Sequence, residues 1–354
     1  MRDARDERMR VRQAKEIARQ WVRETASSIP GFAGAFFHGS ANWLPDDAAF
    51  PATSDLDVVV VLDAPDPPIK PGKFRYQDVL LEVSYLLGDQ LGSPERVLGR
   101  YDLAGSFRAP AVILDPSGQL TKLQAVVARE YAKRAWVSQR CDDARNRVLR
   151  NLRALDAAAP FHDQVTAWLF ATGVTTHILL VAGLKNPTVR TRYVAARQLL
   201  AEYGHAAFYP SLLELLGCAR MERGQAEWHL AALAAAFDAA KGVLATPFFF
   251  ARDLTDAARP IAIDGSRDLI ARGDRREAIF WMVATYSRCE KVLYQDAPAE
   301  MQARFTPGYR RLLGDLGITT FADLERRGEQ VKEFLPQVWS VAEAIMAANP
   351  VIEG

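Results

Sequence analysis

The sequence has few cysteines, almost no net charge and no long uninterrupted apolar run. Its 354 residues include only Cys141, Cys218 and Cys289, whose wide spacing fits neither a disulfide framework nor a cysteine metal site. A formal net charge of +1 gives no overall field that would draw the chain to nucleic acid or to a membrane. Binding to either partner would therefore require a local patch of charge on this protein.

The first residues lack the apolar core of a signal peptide. Residues 1–24 are densely charged, and the most apolar stretch, residues 165–184, is interrupted by threonines, by glycine and by His177. We interpret that stretch as a buried bundle helix and His177 as a core histidine. We therefore expect a cytoplasmic protein that makes no membrane contact.

Local signatures of several enzyme classes are also missing. The sequence has no Walker A, GxGxxG, GxSxG or HExxH pattern. A composition of 49% hydrophobic and 25% charged residues is that of a globular protein with room for two or three domains. Candidate functional residues must therefore be sought among residues that are far apart in the sequence.

The character of the chain changes near residue 120. Short β-branched and aromatic runs, separated by Pro, Gly and Asp, predict strands at 33–38, 57–62, 74–87 and 111–114. Longer segments with helical periodicity follow at 122–156, 164–183, 189–203, 211–216, 223–244, 275–295 and 324–349. Residues 246–268, which include two prolines, are interpreted as a connector.

These patterns predict an α/β (α+β) protein. We expect a mixed sheet flanked by helices in residues 1–120, a helical bundle in 121–245, and the connector with a C-terminal helical region in 246–354. The aromatic series on the helix at 275–295 has helical spacing, so we interpret it as core rather than as a stacking surface. Its members are Phe280, Trp281, Tyr286 and Tyr294.

Two aspartates open the most apolar strand. Asp55 and Asp57 are two residues apart, so on an extended chain their carboxylates point to the same face. Two like charges at that distance favour a positive partner between them, and an oxygen pair suits Mg²⁺. The alternative is that Asp55 caps a turn after Ser54 while Asp57 is an exposed residue at the strand start.

A Gly-Ser pair and a third acid accompany the aspartates. Gly39 and Ser40 end the first strand, where a glycine lets a phosphate approach the backbone and a hydroxyl can bind it. Glu82 lies between apolar residues of a later strand, where an unpaired acid is costly. Glu82 is therefore either functional or held in a salt bridge to Arg75 or another base.

The arrangement of these elements within residues 36–85 resembles a known family. A strand, Gly-Ser, a loop, Ser-Asp-Leu-Asp before an apolar strand, and Leu-Glu-Val-Ser on a later strand together resemble the nucleotidyltransferase fold of the DNA polymerase beta superfamily, particularly the aminoglycoside adenylyltransferases. The resemblance implies that Gly39, Ser40 and Ser54 belong to the nucleotide site. Two features depart from the family pattern: a loop of 14 residues between Ser40 and Asp55, and a histidine, His38, before the glycine. We expect His38 to be structural.

The resemblance also implies a metal site and a reaction. Asp55 and Asp57 would bind Mg²⁺, and Glu82 would be a third metal ligand or the general base that takes a proton from the acceptor hydroxyl. The reaction would move a nucleoside monophosphate, with AMP the first choice, from an NTP such as ATP to a hydroxyl of a small, aminoglycoside-like molecule, as antibiotic-resistance enzymes do. The protein would act as a monomer or a homodimer.

Two alternatives stay open at this point. The acceptor could be a protein or an RNA end, or the fold could be a nucleotide-binding regulator without turnover. The three carboxylates argue against the regulator, because a protein that only binds nucleotide has no need of a base. Nucleic acid ranks behind a small molecule as partner, since the nine Lys/Arg against three Asp/Glu in residues 122–153 are best interpreted as a solvated surface.

The helical part offers three further candidates for nucleotide binding. Lys185, Arg190 and Arg192 lie in a helix-loop-helix with no nearby acid before Glu202. We expect Lys185 with Arg190 or Arg192 to hold the phosphates across a cleft between domains. The alternative is a solvated helix face or structural salt bridges.

Overall fold

The computed structural model describes residues 9–64 and 69–354. They form a mixed α/β protein in which the sheet is N-terminal and the rest of the chain is helical, as the sequence predicts. Two compact units are distinguished by their internal contacts. The sheet unit contains the described residues of Met1–Leu98 and Asp102–Tyr131, and the helical unit contains Gly99–Tyr101 and Ala132–Gly354. The helical unit contains both the predicted bundle from residue 132 onward and the predicted C-terminal region, whereas residues 121–131 of the predicted bundle belong to the sheet unit.

The sheet has five strands in the order β3-β4-β2-β1-β5. They are β1 (Phe32–Phe37), β2 (Leu56–Leu62), β3 (Gly72–Tyr76), β4 (Val79–Leu87) and β5 (Val112–Leu114). Strands β2 and β4 are parallel, and the other neighbours are antiparallel. The prediction of one strand over 74–87 is wrong: the chain reverses at Gln77 and Asp78, where Gln77 has a positive φ of 48°, and pairs Tyr76 with Val79.

Helix α1 (Val11–Glu24) covers one face of the sheet. Its apolar side, which includes Ala14, Ala18 and Trp21, is buried in one core with Val58 and Val60 of β2. Because side chains alternate along a strand, Asp57 and Val59, which flank Val58, point to the opposite face. The sequence analysis did not predict this amphipathic helix, because residues 1–24 are densely charged.

The described residues contain eleven further α-helices. In the sheet unit these are α2 (Pro94–Leu98) and α3 (Gln119–Glu130). In the helical unit they are α4 (Arg134–Arg153), α5 (Phe161–Ala182), α6 (Arg192–Glu202), α7 (Tyr209–Leu216), α8 (Arg223–Val243), α9 (Gly265–Ala271), α10 (Arg275–Asp296), α11 (Ala299–Asp315) and α12 (Phe321–Ala348). The single helix predicted over 122–156 is thus two helices, α3 and α4, in different units.

Helix α5 forms the centre of the helical unit and contacts α4, α6, α10 and α12. It is long and apolar enough to cross a membrane, but 83% of its most apolar window is buried within the structure. His177 is buried on it and contacts the Thr188 carbonyl oxygen at 2.9 Å, as expected of a core histidine. On α10, Phe280, Trp281 and Tyr286 are core residues as predicted, whereas Tyr294 is 61% exposed.

Candidate active site

Three polar side chains lie in a row across neighbouring strands. Asp57 of β2 is paired with Glu82 of β4 in the parallel ladder, and Glu82 is paired with Lys73 of β3 in the antiparallel ladder. Paired residues point to the same face of a sheet, so all three lie on the face opposite α1. Asp55 precedes Asp57 by two residues and joins them.

The structure brings the three predicted carboxylates together. Asp55, Asp57 and Glu82 each offer one oxygen, and these oxygens lie within 4.8 Å of one another. Lys73 is only 7% exposed, and its Nζ lies 3.1 Å from Asp55 Oδ2 and donates a hydrogen bond to Glu82 Oε2. Lys70 Nζ lies 3.7 Å from Glu82 Oε1. Two ammonium groups therefore face three carboxylates.

Asp57 is the carboxylate whose charge is least balanced. Among the described residues, no side-chain hydrogen bond or ion pair within 4.0 Å engages its carboxylate, although Lys73 and Lys70 act on it from farther away. Burial, reinforced by the charges of Asp55 and Glu82, raises the pKa of Asp57 well above its usual range. The site therefore favours an additional cation at Asp57.

The donor set fits a hard divalent cation. All three candidate ligands are carboxylate oxygens, which Mg²⁺ and similar ions prefer over nitrogen or sulfur. A metal at Asp57 and Asp55 would also relieve the repulsion among the acids. Oxygen ligands alone do not distinguish Mg²⁺ from other hard ions.

The Gly-Ser turn packs directly against Asp57. Gly39 begins a 3₁₀ turn, Gly39–Asn42, with a φ of +63°, and a Cβ added to it would come 2.8 Å from the Asp57 Cγ and closer still to Oδ2. The backbone N–H of His38 donates to the Asp57 carbonyl oxygen at 3.0 Å. Glycine is therefore required here both by the backbone conformation and by the adjacent carboxylate. The Ser40 hydroxyl makes no hydrogen bond with the described part of the chain.

The long loop before Asp55 is held by the N-terminal residues. Backbone hydrogen bonds join Val11 N–H to the Ala48 carbonyl oxygen and Phe50 N–H to the Met9 carbonyl oxygen. The Ser54 N–H donates to the Pro51 carbonyl oxygen and so closes a turn just before Asp55. The extra length of the loop is thus accommodated by contacts with the start of α1.

His38 has a structural partner. Its Nδ1 lies 2.6 Å from Ser106 Oγ, within hydrogen-bond distance, in the sheet unit. The expectation that His38 is structural rather than catalytic stays a prediction.

The three basic candidates of the helical unit have different surroundings. Lys185 forms an ion pair of 3.0 Å with Glu202. The Arg190 guanidinium lies over Gly265. Arg192 is buried, with its guanidinium 3.9 Å from the centre of the Phe280 ring and its Nε donating to the Val189 carbonyl oxygen at 2.8 Å. A phosphate-binding role for these residues stays a prediction.

Lys73 is the residue that the sequence analysis missed. The sequence analysis considered a salt bridge from Glu82 to Arg75 or another base. The structure shows that bridge with another base, Lys73, whereas Arg75 is paired in the ladder with Leu80 and is exposed. In a hairpin that turns at Gln77-Asp78, residues at equal distances from the turn are paired. Lys73 and Glu82 are at equal distances from it and therefore lie opposite each other. A prediction of that turn would have identified Lys73 as the partner of Glu82.

No model of a known protein family matches the chain, and no curated protein sequence matches it significantly. The case for a function therefore depends on the geometry of the site.

The contact between Gly39 and Asp57 can be tested by substitution. Gly118→Ala is a matched control, because Gly118 lies in the same unit, has a φ of +73°, and a Cβ there would meet nothing within 4 Å. We expect Gly118→Ala to lower the free energy of unfolding by about 1 kcal/mol through backbone strain alone. Gly39→Ala should cost a further 1–3 kcal/mol, as an order of magnitude, from overpacking against the carboxylate.

Urea unfolding of both variants, monitored by circular dichroism, measures the difference. Equal losses for the two variants would show that Gly39 makes no close contact with Asp57.

Proposed function

We propose that the sheet unit is a nucleotidyltransferase domain of the DNA polymerase beta type and that the protein transfers a nucleoside monophosphate from an NTP to a hydroxyl group. The acceptor that we propose is a small hydroxylated molecule of the aminoglycoside type, and ATP is the proposed donor.

The observation that supports this proposal most directly is the packing of the Gly-Ser turn against the three-carboxylate cluster. Gly39 approaches Asp57, and Asp57 lies with Asp55 and Glu82 on one face of the sheet. A segment suited to binding phosphate and a set of ligands suited to a divalent cation thus occupy one site. Metal and triphosphate bind together in nucleotidyl transfer, which makes this combination more informative than either part.

In the proposed mechanism each residue has one role. Asp55 and Asp57 would hold Mg²⁺, which would neutralise negative charge on the triphosphate and on the departing pyrophosphate. Gly39 gives the phosphates access to the backbone, and the Ser40 hydroxyl donates a hydrogen bond to a phosphate oxygen. Ser54 closes the turn that positions Asp55 in the carboxylate cluster.

Glu82 accepts the proton of the attacking hydroxyl. The acceptor oxygen forms a bond to the α-phosphorus, the bond from that phosphorus to the β-phosphate bridging oxygen breaks, and pyrophosphate leaves with that electron pair. Lys73 holds Glu82 and Asp55 in place through its ammonium group. Lys73 is therefore a positioning residue in this mechanism.

The proposal is tested by pyrophosphate release. Wild-type protein with Mg²⁺ and each of the four common NTPs is assayed with a panel of aminoglycosides and other hydroxylated compounds, beside the Asp57→Ala variant. We expect release that requires one donor and one acceptor class and that falls to background in the variant. Mass spectrometry should show the acceptor heavier by one nucleoside monophosphate.

Two other results would redirect the proposal. Binding of NTP without any release across the panel would favour a macromolecular acceptor or a regulatory role. Release that persists undiminished in Asp57→Ala would exclude the carboxylate cluster as the active site.

A further inference from the structure

The helical unit contains a cavity of about 190 Å³ that the proposed reaction does not use. It lies where the N-terminal end of α5 meets α10 and α11, and all of its lining residues belong to the helical unit. Two of them, Tyr294 and Arg310, are exposed, so the cavity reaches the protein surface.

Glu290, which lines this cavity, has a buried carboxylate oxygen without a hydrogen-bond partner among the described residues. Glu290 is only 6% exposed, and its Oε2 accepts a hydrogen bond from Thr306 Oγ1 at 2.9 Å. Its Oε1 is buried and has no hydrogen-bond partner within the described part of the chain. A buried acceptor without a protein donor is costly, so the position of Glu290 in the wall of a cavity points to a ligand that donates a hydrogen bond.

His162, another lining residue, also has a buried polar atom without a hydrogen-bond partner in the part of the chain that the structure describes. The Nε2 of His162 makes no hydrogen bond with the residues that the structure describes, and its nearest acid, Asp163 Oδ2, is 3.6 Å away. Asp163 is instead held by Lys291 Nζ, which is 2.9 Å from both carboxylate oxygens. Burial lowers the pKa of His162 to about 4, so this ring is neutral at pH 7 and adds no positive charge to the cavity.

The remaining walls suit an alkyl chain carrying a positive charge. Phe161 and Tyr294 present aromatic rings, and the Tyr294 ring lies 5.6 Å from that of His162. Arg310 brings the one guanidinium that lines the cavity, stacked 3.8 Å from the centre of the Phe161 ring. Because Arg310 is exposed, bulk water can solvate its charge, whereas Glu290 Oε1 is buried and no described side chain forms an ion pair with it within 4.0 Å.

We propose that this cavity binds the ammonium group of a small primary amine, with Glu290 Oε1 accepting an N–H and the aromatic walls contacting the alkyl chain. The balance between an exposed arginine and a buried acceptor favours a cation over an anion. The proposal concerns the helical unit alone and does not rest on the proposed nucleotidyl transfer.

The protonation state of Glu290 gives the site a second testable property, which is the pH dependence of its affinity for an amine. Burial raises the pKa of Glu290 to about 7, against the opposing effects of the Thr306 hydrogen bond and the Arg310 charge. The other charged or titratable groups near it in the described part of the chain are His162 and Asp163 on α5, Tyr309 on α11, and Tyr286, Cys289, Lys291 and Tyr294 on α10. The carboxylate is therefore mostly neutral at pH 6 and mostly ionised at pH 8, so the affinity for an amine should rise about tenfold over that interval.

The experiment uses three four-carbon probes that differ only in their polar end: n-butylammonium, 1-butanol and butyrate. Binding to the full-length protein is measured by NMR titration at pH 8 and pH 6. We expect n-butylammonium to bind with a Kd on the order of millimolar, which is appropriate to so few atoms, and the other two probes to bind at least about tenfold more weakly.

Two variants identify the residue responsible. Glu290→Gln keeps the shape and the Thr306 contact but removes the charge, and should weaken n-butylammonium binding at pH 8 at least about tenfold and remove its pH dependence. Glu300→Gln makes the same change on an exposed residue of α11 and should leave binding unaltered.

Several results would overturn the proposal. Equal binding of n-butylammonium and 1-butanol would show an unspecific apolar cavity, and absence of binding up to about 50 mM amine would show a cavity that holds only water. Undiminished binding to Glu290→Gln would place the amine elsewhere.

Discussion

The Asp57→Asn variant is expected to lose nucleotidyl transfer by about a thousandfold or more while keeping its fold. The substitution preserves the shape of the side chain but removes the carboxylate that lacks an ion pair within the cluster. In other enzymes, loss of a group that stabilises charge in the transition state lowers the rate by a factor of about this size. The rate of pyrophosphate release at saturating acceptor measures the loss.

The fold should withstand the change because the repulsion among Asp55, Asp57 and Glu82 becomes smaller. In the presence of a chelator, the melting temperature of Asp57→Asn should equal or exceed that of the wild type. Added Mg²⁺ with NTP should stabilise the wild type and leave the variant unchanged, since only the form that binds ligand is stabilised by it.

Asp47→Asn is the matched control. Asp47 is an exposed aspartate of the loop before β2, and its substitution makes the same chemical change away from the cluster. We expect it to retain wild-type transfer and wild-type stabilisation by Mg²⁺. If Asp57→Asn unfolded at the temperature at which Asp47→Asn remained native, Asp57 would be a structural residue and the metal-site hypothesis would fail.

The part of the fold that the sequence predicted is the part set by local periodicity. Strands β1, β2 and β5 and most helices of the helical unit lie where the two-residue and 3.6-residue patterns indicated, within a few residues. The spacing of Asp55 and Asp57 was also sufficient to predict that their carboxylates share one face, and the structure brings their oxygens within 4.8 Å.

The parts that escaped prediction depend on turns and on long-range pairing. The turn at Gln77 and Asp78 lacks the Gly or Asn that usually marks a two-residue hairpin, so β3 and β4 merged into one predicted strand and Lys73 was not recognised as the partner of Glu82. Helix α1 was overlooked because its exposed face is highly charged. Its buried residues recur every three or four positions, which is the pattern of an amphipathic helix.

The cavity at Glu290 could not be inferred from sequence for a different reason. Its walls come from α5, α10 and α11, and Glu290 is more than a hundred residues from His162 in the chain. The lack of a hydrogen-bond partner for one Glu290 oxygen among the described residues is a property of tertiary packing. Periodicity identifies which residues are buried and leaves open whether their polar atoms are satisfied.

Glu82→Gln is expected to separate binding from chemistry. The amide keeps the size of the side chain and can still accept a hydrogen bond from Lys73, so the row Asp57, Glu82 and Lys73 should hold its geometry. An amide has no useful basicity, and loss of a general base costs about 10²–10⁴ in rate. Transfer should fall by that factor, while the affinity for NTP with Mg²⁺ should stay within about threefold of the wild type.

The exposed Glu95 of α2 provides the control, since Glu95→Gln makes the same substitution in the same unit and should leave both quantities unchanged. Nucleotide affinity is measured by fluorescence titration, and transfer by single-turnover formation of the modified acceptor. Full turnover in Glu82→Gln would remove Glu82 from the role of base. Loss of nucleotide affinity together with transfer would instead make Glu82 a metal ligand, because a residue that only receives the proton contributes nothing to binding the nucleotide and its cation before the hydroxyl attacks.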